Sequence, residues 1–598
     1  MSSIRTARPD VPFGTTLHPG PAMTRRSFTV SAIGASAVAA LGPVSILAAP
    51  ASSGARTGAA QEDIQTDVTV TLPLLPYGQA VTIDPHRTVN WGPFWTLLPH
   101  VWAGLLRFDK NGGVEADLAA SVESNEDLTV WTATLREGIA FASGTPVTAS
   151  DFVASWKRAL DPAALSPMSA YMADVKGFAD YTSGKSTDIG FEAVDDTTLT
   201  ITLEHGTTEF PHRLATFVWA VVDPAVLADT SVTDPFTAAS GAGGWQFAEL
   251  VAGDHLTMTP NPHAWEQQSP SISTVTWAII DGADAESTAL DRYKSGELAS
   301  ADVPLALLDS VNGDDTLKGQ LVSVEQPGST LAIGMDFLQE PFNDPRIRQA
   351  VAASIDREKW ASEIWKGSFV AADGFTSPAA AAVDSYTAPS GIAFDAGKAK
   401  SLLSDAGFDP STTAVEIVYH QPVSDSADDQ QRAADLLTMI QDNCGIVITQ
   451  DTTLTVDQIA SLQQDNGGRQ FDLVWWWPDV SAPSFLGTVA SPDSPFMDGW
   501  FNWSPDLAKV GDLDPGANAK QFSDLMAEAR TNGQQDARNE AIQQAEKLLL
   551  DDAVYIPLGY WVQQFVQQPW LQGTTQGAWT GRIPLRFDSN VVVRGKPE

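Results

Sequence analysis

Cysteine is nearly missing from this chain: Cys444 is the only one in 598 residues. That excludes an intramolecular disulfide and any zinc site built on cysteine pairs. Histidine is also sparse, with eight residues and no His-Glu-x-x-His pattern. The closest pairs, His205/His212 and His255/His263, lie seven and eight positions apart, so neither pair shares a helical turn. Basic residues are outnumbered, 35 against 74 acidic, leaving a formal net charge of −39. A field of that sign repels nucleic acid and anionic lipid headgroups, so no nucleic-acid partner is expected. Catalytic signatures are missing too. There is no Gly-x-Ser-x-Gly elbow and no acidic calcium loop. Ser183-Gly184-Lys185-Ser186-Thr187 imitates the end of a phosphate loop, but Ala179 stands where its first glycine belongs, and it reads as a polar turn. Cys444, beside Gly445 and without a local histidine, reads as a small buried residue. Neither a cofactor nor a metal is called for, and no enzyme activity is expected.

What is present begins with an address. Thr24-Arg25-Arg26-Ser27-Phe28 is a twin-arginine pattern, followed by an uncharged apolar stretch, Ala32 to Ala49, and a small-residue tail. The order is that of an export signal. The stretch is rich in Ala and Gly and broken by Pro43, which argues against a membrane anchor. Cleavage after Ala51 or Ala60 suits the small residues there, and Met23 leaves residues 1–22 as an over-extended start. Residues 1–60 are therefore read as export signal and leader. The mature protein is expected outside the cytoplasmic membrane, periplasmic or at the cell surface, by the twin-arginine route.

From Val68 onward, short β-branched runs alternate with amphipathic segments. Strands are expected at 128–135, 198–203, 256–259, 275–280, 415–419 and 473–476. Helices are expected at 149–160, 285–295, 344–355, 356–365, 396–405, 428–441, 520–530 and 536–550. The alternation indicates α/β layers, and no fixed repeat points to a solenoid or propeller.

Four segments carry a family resemblance. The first runs from Asp117-Leu118-Ala119-Ala120-Ser121 through Leu128 to Ile139, then Phe141-Ala142-Ser143-Gly144-Thr145-Pro146-Val147-Thr148 and Trp156-Lys157-Arg158. Its local logic is a strand, a Gly-Thr-Pro turn and a helix capped by Thr148 or Ser150. The second is Gly241-Ala242-Gly243-Gly244-Trp245, leading to Asn261-Pro262-His263-Ala264-Trp265. Its glycines permit positive φ and close chain approach, whether for a bend or for ligand contact. The third is Pro341-Phe342-Asn343-Asp344-Pro345-Arg346-Ile347-Arg348-Gln349-Ala350 through Asp356-Arg357, with Asp344 as helix cap and its arginines expected on nearby acids. The fourth is Asp472-Leu473-Val474-Trp475-Trp476-Trp477-Pro478-Asp479-Val480, then Pro483-Ser484-Phe485. The closing Ala541–Leu558 run adds a helix and a strand.

Together these resemble the extracellular solute-binding proteins of family 5, the oligopeptide- and dipeptide-binding components of ABC importers, over essentially all of residues 68–598. The resemblance implies a two-lobed periplasmic-binding-protein (Venus-flytrap) α/β fold with an extra small domain. By analogy, main lobe I takes residues 67–110, 236–328 and 556–598, the small inserted lobe 111–235, and main lobe II 329–555. It implies a monomer that closes on a small peptide or peptide-like ligand and is read by the importer's membrane permease subunits. Asp479 matches the acid that pairs with the peptide's α-ammonium group in relatives, although Trp-Pro replaces the small residues usual before it. Trp475, Trp477, Trp500 and Trp503 are the candidate aromatic walls. Asp336 stands where the family usually has Asn, which leaves its effect on ligand contacts open. An oligosaccharide receptor of the same fold and, more remotely, a secreted hydrolase remain alternatives.

Overall fold

The computed structural model describes residues 45–47, 64–75, 83–88, 92–109, 113–227, 241–282, 284–383, 385–413, 415–455, 458–459, 461–462, 470–476, 482–491, 497, 501–574 and 587–597. The architecture is layered α/β, built on three principal sheets. A four-stranded sheet pairs Val68–Leu74 in parallel with Ile272–Ile279, followed by His255–Pro260 and Trp245–Val251. A five-stranded sheet has Ala119–Ser124, Val130–Leu135, Thr198–Thr202 and Phe191–Ala193, with Ser45–Leu47 on its outer edge. The third sheet holds β1 (Ser300–Asp302), β2 (Leu321–Met335), β3 (Phe369–Ala371), β4 (Val418–His420), β5 (Thr449–Asp451), β6 (Phe471–Trp476) and β7 (Tyr555–Gln567). Its order is β1-β7-β2-β6-β4-β5, with β3 on β7. Among the described residues no helix is long and apolar enough to cross a membrane.

The first motif folds as its residues dictate. Thr148 and Asp151 form a reciprocal capping box that starts α1 (Ala149–Ala159), whose Phe152 and Trp156 are buried. At its far end Arg158 donates to both carboxylate oxygens of Asp84, which is buried, and so fastens residues 83–88. Trp156 packs edge-on against Trp219 at 5.1 Å, and its indole N–H donates to the Trp219 carbonyl. In the third motif Asp344 caps α2 (Pro345–Ala353) by accepting the Arg346 N–H. Two long helices, α3 (Pro515–Thr531) and α4 (Gln535–Asp551), lie side by side ahead of β7. Earlier in the chain, helix Ala427–Cys444 ends on Gly445 at φ +89°, a left-handed C-terminal stop that glycine adopts without strain.

Burial divides the molecule by core. One core draws on residues from Val70 to Ala299 and again from Trp570 to Val593. Two more lie within Leu331–Leu558, and a fourth packs Ala285, Leu290 and Tyr293 against Val566 of β7. The strands of the five-stranded sheet contribute to the first core together with Val70, Leu72 and Trp277, so the region read as a small lobe shares its interior with its neighbour.

Candidate functional site

Two strands run from one set of cores to the other. Leu321–Glu325 of β2 pairs with Val566–Val562 of β7, and Thr330–Gly334 of β2 pairs with Tyr560–Tyr555. Between Glu325 and Thr330 the register shifts and the ladder is interrupted. On one side of this interruption β1 joins β7, with Asp302 opposite Phe565. On the other side β6 joins β2, from Met335 opposite Phe471 to Thr330 opposite Trp476. Strand β6 therefore ends level with the interruption. Trp476, the last described residue of β6, thus lies where β2 and β7 pass between the two halves.

Trp475 lies in β6 opposite Leu331. Trp477, Asp479 and Trp500 fall outside the described residues, so the candidate ammonium partner and two of the aromatic walls are located by sequence alone. Trp503 is described, and the expectation of ligand contact there is corrected. Its side chain is fully buried, packed edge-on against Phe522 of α3 at 5.2 Å, and its indole N–H donates to Asp552 Oδ2 at 3.0 Å. A tryptophan with its donor satisfied inside a core is a packing residue.

Asp336 also finds a local explanation. Buried at the end of β2, its Oδ1 accepts the Leu338 N–H at 2.9 Å and Asn502 Nδ2–H at 2.8 Å. Burial pushes this carboxyl up, with Asn502 opposing. The Phe337 N–H donates to the Phe501 carbonyl, so the 501–503 stretch is stitched to the strand end. Asn502 sits at φ +60°, a conformation asparagine tolerates better than most side chains. Of the two arginines of the third motif, Arg346 pairs with its own cap, Asp344, as expected. Arg348 does not: fully buried, it donates to the carbonyls of Asp552 and Phe342 and lies 3.5 Å over the Phe337 ring.

The glycine segment resolves toward close approach. A Cβ on Gly241 would lie 2.2 Å from the Val101 carbonyl oxygen, and one on Gly243 would lie 2.5 Å from that of His100. These positions are glycine because the end of helix Gly92–Val101 presses against them. The same region brings the first two motifs together. Trp265 donates its indole N–H to Asp117 Oδ1, the Arg136 guanidinium lies 3.8 Å over the Trp265 ring, and Arg107 meets Glu115, Asp117 and Glu266. A cavity of about 100 Å³ bounded by Trp102, Arg107, Trp245 and Trp265 lies here, large enough for a few waters and far too small for a peptide.

The halves also meet away from the sheet. The Thr208 N–H donates to the Arg530 carbonyl at the end of α3, and Arg530 Nε lies 3.4 Å from the buried Glu209 carboxylate.

The arrangement has close counterparts. The periplasmic murein peptide-binding protein MppA of Escherichia coli is 27% identical over 508 residues, which covers 83% of this chain and 88% of the relative. The periplasmic oligopeptide-binding protein OppA of Salmonella typhimurium is 26% identical over 530 residues, covering 86% of this chain and 90% of the relative. Among solved structures, the unliganded open form of MppA superposes with a TM-score of 0.74 at 24% identity, covering 89% of this chain and 98% of that one. The sequence profile of bacterial extracellular solute-binding proteins, family 5, matches residues 113–495, well over half the chain. With its layered fold, its paired crossing strands and its interlocked motifs, the chain belongs to the bacterial extracellular solute-binding proteins of family 5.

Proposed function

We propose that the protein captures peptides outside the cytoplasmic membrane and delivers them to the permease subunits of an ABC importer. The observation that carries this reading is the end of β6 at Trp476, level with the interrupted ladder between β2 and β7. Strands β2 and β7 cross between the halves here, and in this reading they bend when the halves close on a ligand. The relatives named for peptide binding support the ligand class. In this reading main lobe I comprises 67–110, 236–328 and 556–598, the inserted small lobe 111–235, and main lobe II 329–555. The shift between Glu325 and Thr330 supports the boundary near 328. Asp479 takes the peptide's α-ammonium group, and Trp475, Trp477 and Trp500 wall the pocket. The protein works as a monomer, without catalysis, after export by the twin-arginine route.

Titration calorimetry with tripeptides tests the assignment. Asp479→Asn removes one charge-assisted contact worth about 1.5–3 kcal/mol, so affinity for a free-amine tripeptide falls roughly 10- to 100-fold. The wild type discriminates against the N-acetylated peptide by a similar factor, and the variant does not. Equal binding of both peptides by the wild type removes Asp479 from the role. Binding of a neutral oligosaccharide and of no peptide overturns the ligand class.

A further inference from the structure

We propose that Glu546 is a positioning residue of the ligand cleft, a titratable tie that holds the 373–377 turn against the crossing strands β2 and β7. Glu546 projects from α4 and is fully buried. Its Oε1 accepts the backbone N–H groups of Phe375 at 2.9 Å and Thr376 at 2.7 Å, and its Oε2 accepts the Tyr386 hydroxyl at 3.0 Å. The same turn is fastened to both crossing strands. Tyr560 of β7 accepts the Gly374 N–H at its hydroxyl and donates that hydroxyl to the Gly374 carbonyl at 2.8 Å. Thr330 of β2 donates its hydroxyl to the Phe375 carbonyl at 2.8 Å. Thr330 is also the residue paired with both Tyr560 and Trp476, at the inner edge of the interruption. The Phe375 ring lies stacked between Phe485, 5.2 Å away, and Tyr555 of β7, 5.0 Å away, with interplanar angles of 5° and 9°. One carboxyl on α4 thus reaches, through a single turn, the strands on which closure depends.

The donors to Glu546 are all neutral. Tyr386 faces it from the segment after the turn, Tyr560 from β7, and only amides and the Thr376 hydroxyl from the turn itself. Beyond this ring Asp373 and Glu325 act on Tyr560, and Arg357 lies beside Asp373. No ion pair to Glu546 occurs among the described residues. Burial pushes its carboxyl up to about 7, with the Thr376, Tyr386 and Phe375 donors opposing. Because this lies above the value of 4.5 for a solvated Glu, ionisation opposes the docked turn, and docking weakens as pH rises through 7. Releasing the turn uncovers the carboxylate. Between pH 6 and 8 the docking equilibrium falls about tenfold.

Native-state hydrogen exchange reads this without any ligand. The opening constant at the Phe375 and Thr376 amides, corrected for intrinsic exchange, rises about tenfold from pH 6 to 8 in the wild type. In Glu546→Gln, whose amide oxygen still accepts both N–H groups, it stays flat. Tyr386→Phe, which removes one donor to the ionised form, moves the midpoint upward. A wild-type profile with no midpoint near 7, or the same profile in Glu546→Gln, overturns the proposal. So does an unmoved midpoint in Tyr386→Phe. The consequence for capture rests on the peptide-receptor reading. Tripeptide affinity in the wild type weakens over the same pH range and does not in Glu546→Gln. A chain that titrates at this turn and binds no peptide defeats that reading and leaves the tie standing.

Discussion

Two buried carboxyls each hold a loop in this protein, and they do so by opposite electrostatics. Asp84 has a cation: Arg158 donates to both of its oxygens, and the His86 N–H adds a third bond. Burial works against its ionised form, but the bonds and charge of Arg158 and the His86 backbone N–H outweigh it and hold the carboxyl below its ordinary value. Glu546 has as many donors and no cation, and burial prevails. The comparison separates two properties that a list of hydrogen bonds merges. A loop pinned by a salt-bridged acid is fastened at every pH at which the acid stays charged. A loop pinned through neutral dipoles responds to pH near neutrality.

The largest effect expected is from Asp84→Ala, which strands the Arg158 guanidinium in a mostly buried position. The loss is about 3–5 kcal/mol, read as a lower urea midpoint with an unchanged slope. A loss under about 1 kcal/mol would mean that the pair is solvated and the contrast with Glu546 is false.

Next in size is the acid limb. His86 is fully buried; Arg158 can only donate to its Nδ1, so Nε2 carries the proton toward the Ala220 carbonyl and the ring is neutral. Burial, with Arg158 adding to it and Asp84 opposing, lowers it to about 4. The unfolded chain therefore binds the extra proton first, and stability falls by about 2–3 kcal/mol as pH drops from 6.5 to 4. In His86→Gln, which preserves one acceptor and one donor, that slope flattens in pH-dependent denaturation.

The smallest effect concerns Glu546. Relative to the wild type, Glu546→Gln gains about 1 kcal/mol of stability between pH 6 and 8.5, because the variant has no buried charge to form. An equal gain at both pH values would assign Glu546 a packing role alone.

Local chemistry in the sequence located the elements that end on strong signals. The capping box of Thr148 and Asp151, the Asp344 cap and the Gly445 stop bound helices within a few residues of their expected positions. The turn at 183–187 is the polar turn expected, with the Lys185 N–H on the Asp180 carbonyl. What escaped is non-local. Nothing in the sequence near Thr330 announces Tyr560, 230 positions away, or in the sequence near Glu546 the turn at Phe375. Strand pairings of that separation leave no periodicity of their own. Trp503 misled for a related reason, since a tryptophan in a polar stretch has the same local sequence whether its indole faces a ligand or Asp552. Glu546 lies on an amphipathic helix where a charged residue reads as solvated surface, and only the fold reveals that it is covered.

Cys444 has one further consequence. Its thiol is buried, donates to the Ile440 carbonyl, and is pushed up by burial, so maleimides find almost no thiolate to attack. The native chain is thus a chemical blank. A single cysteine placed on the surface of either half would take a fluorophore at that position alone, with no need to replace the native one. Capture could then be followed as a change of colour or brightness in real time, which would make this protein a convertible optical sensor for whatever it carries.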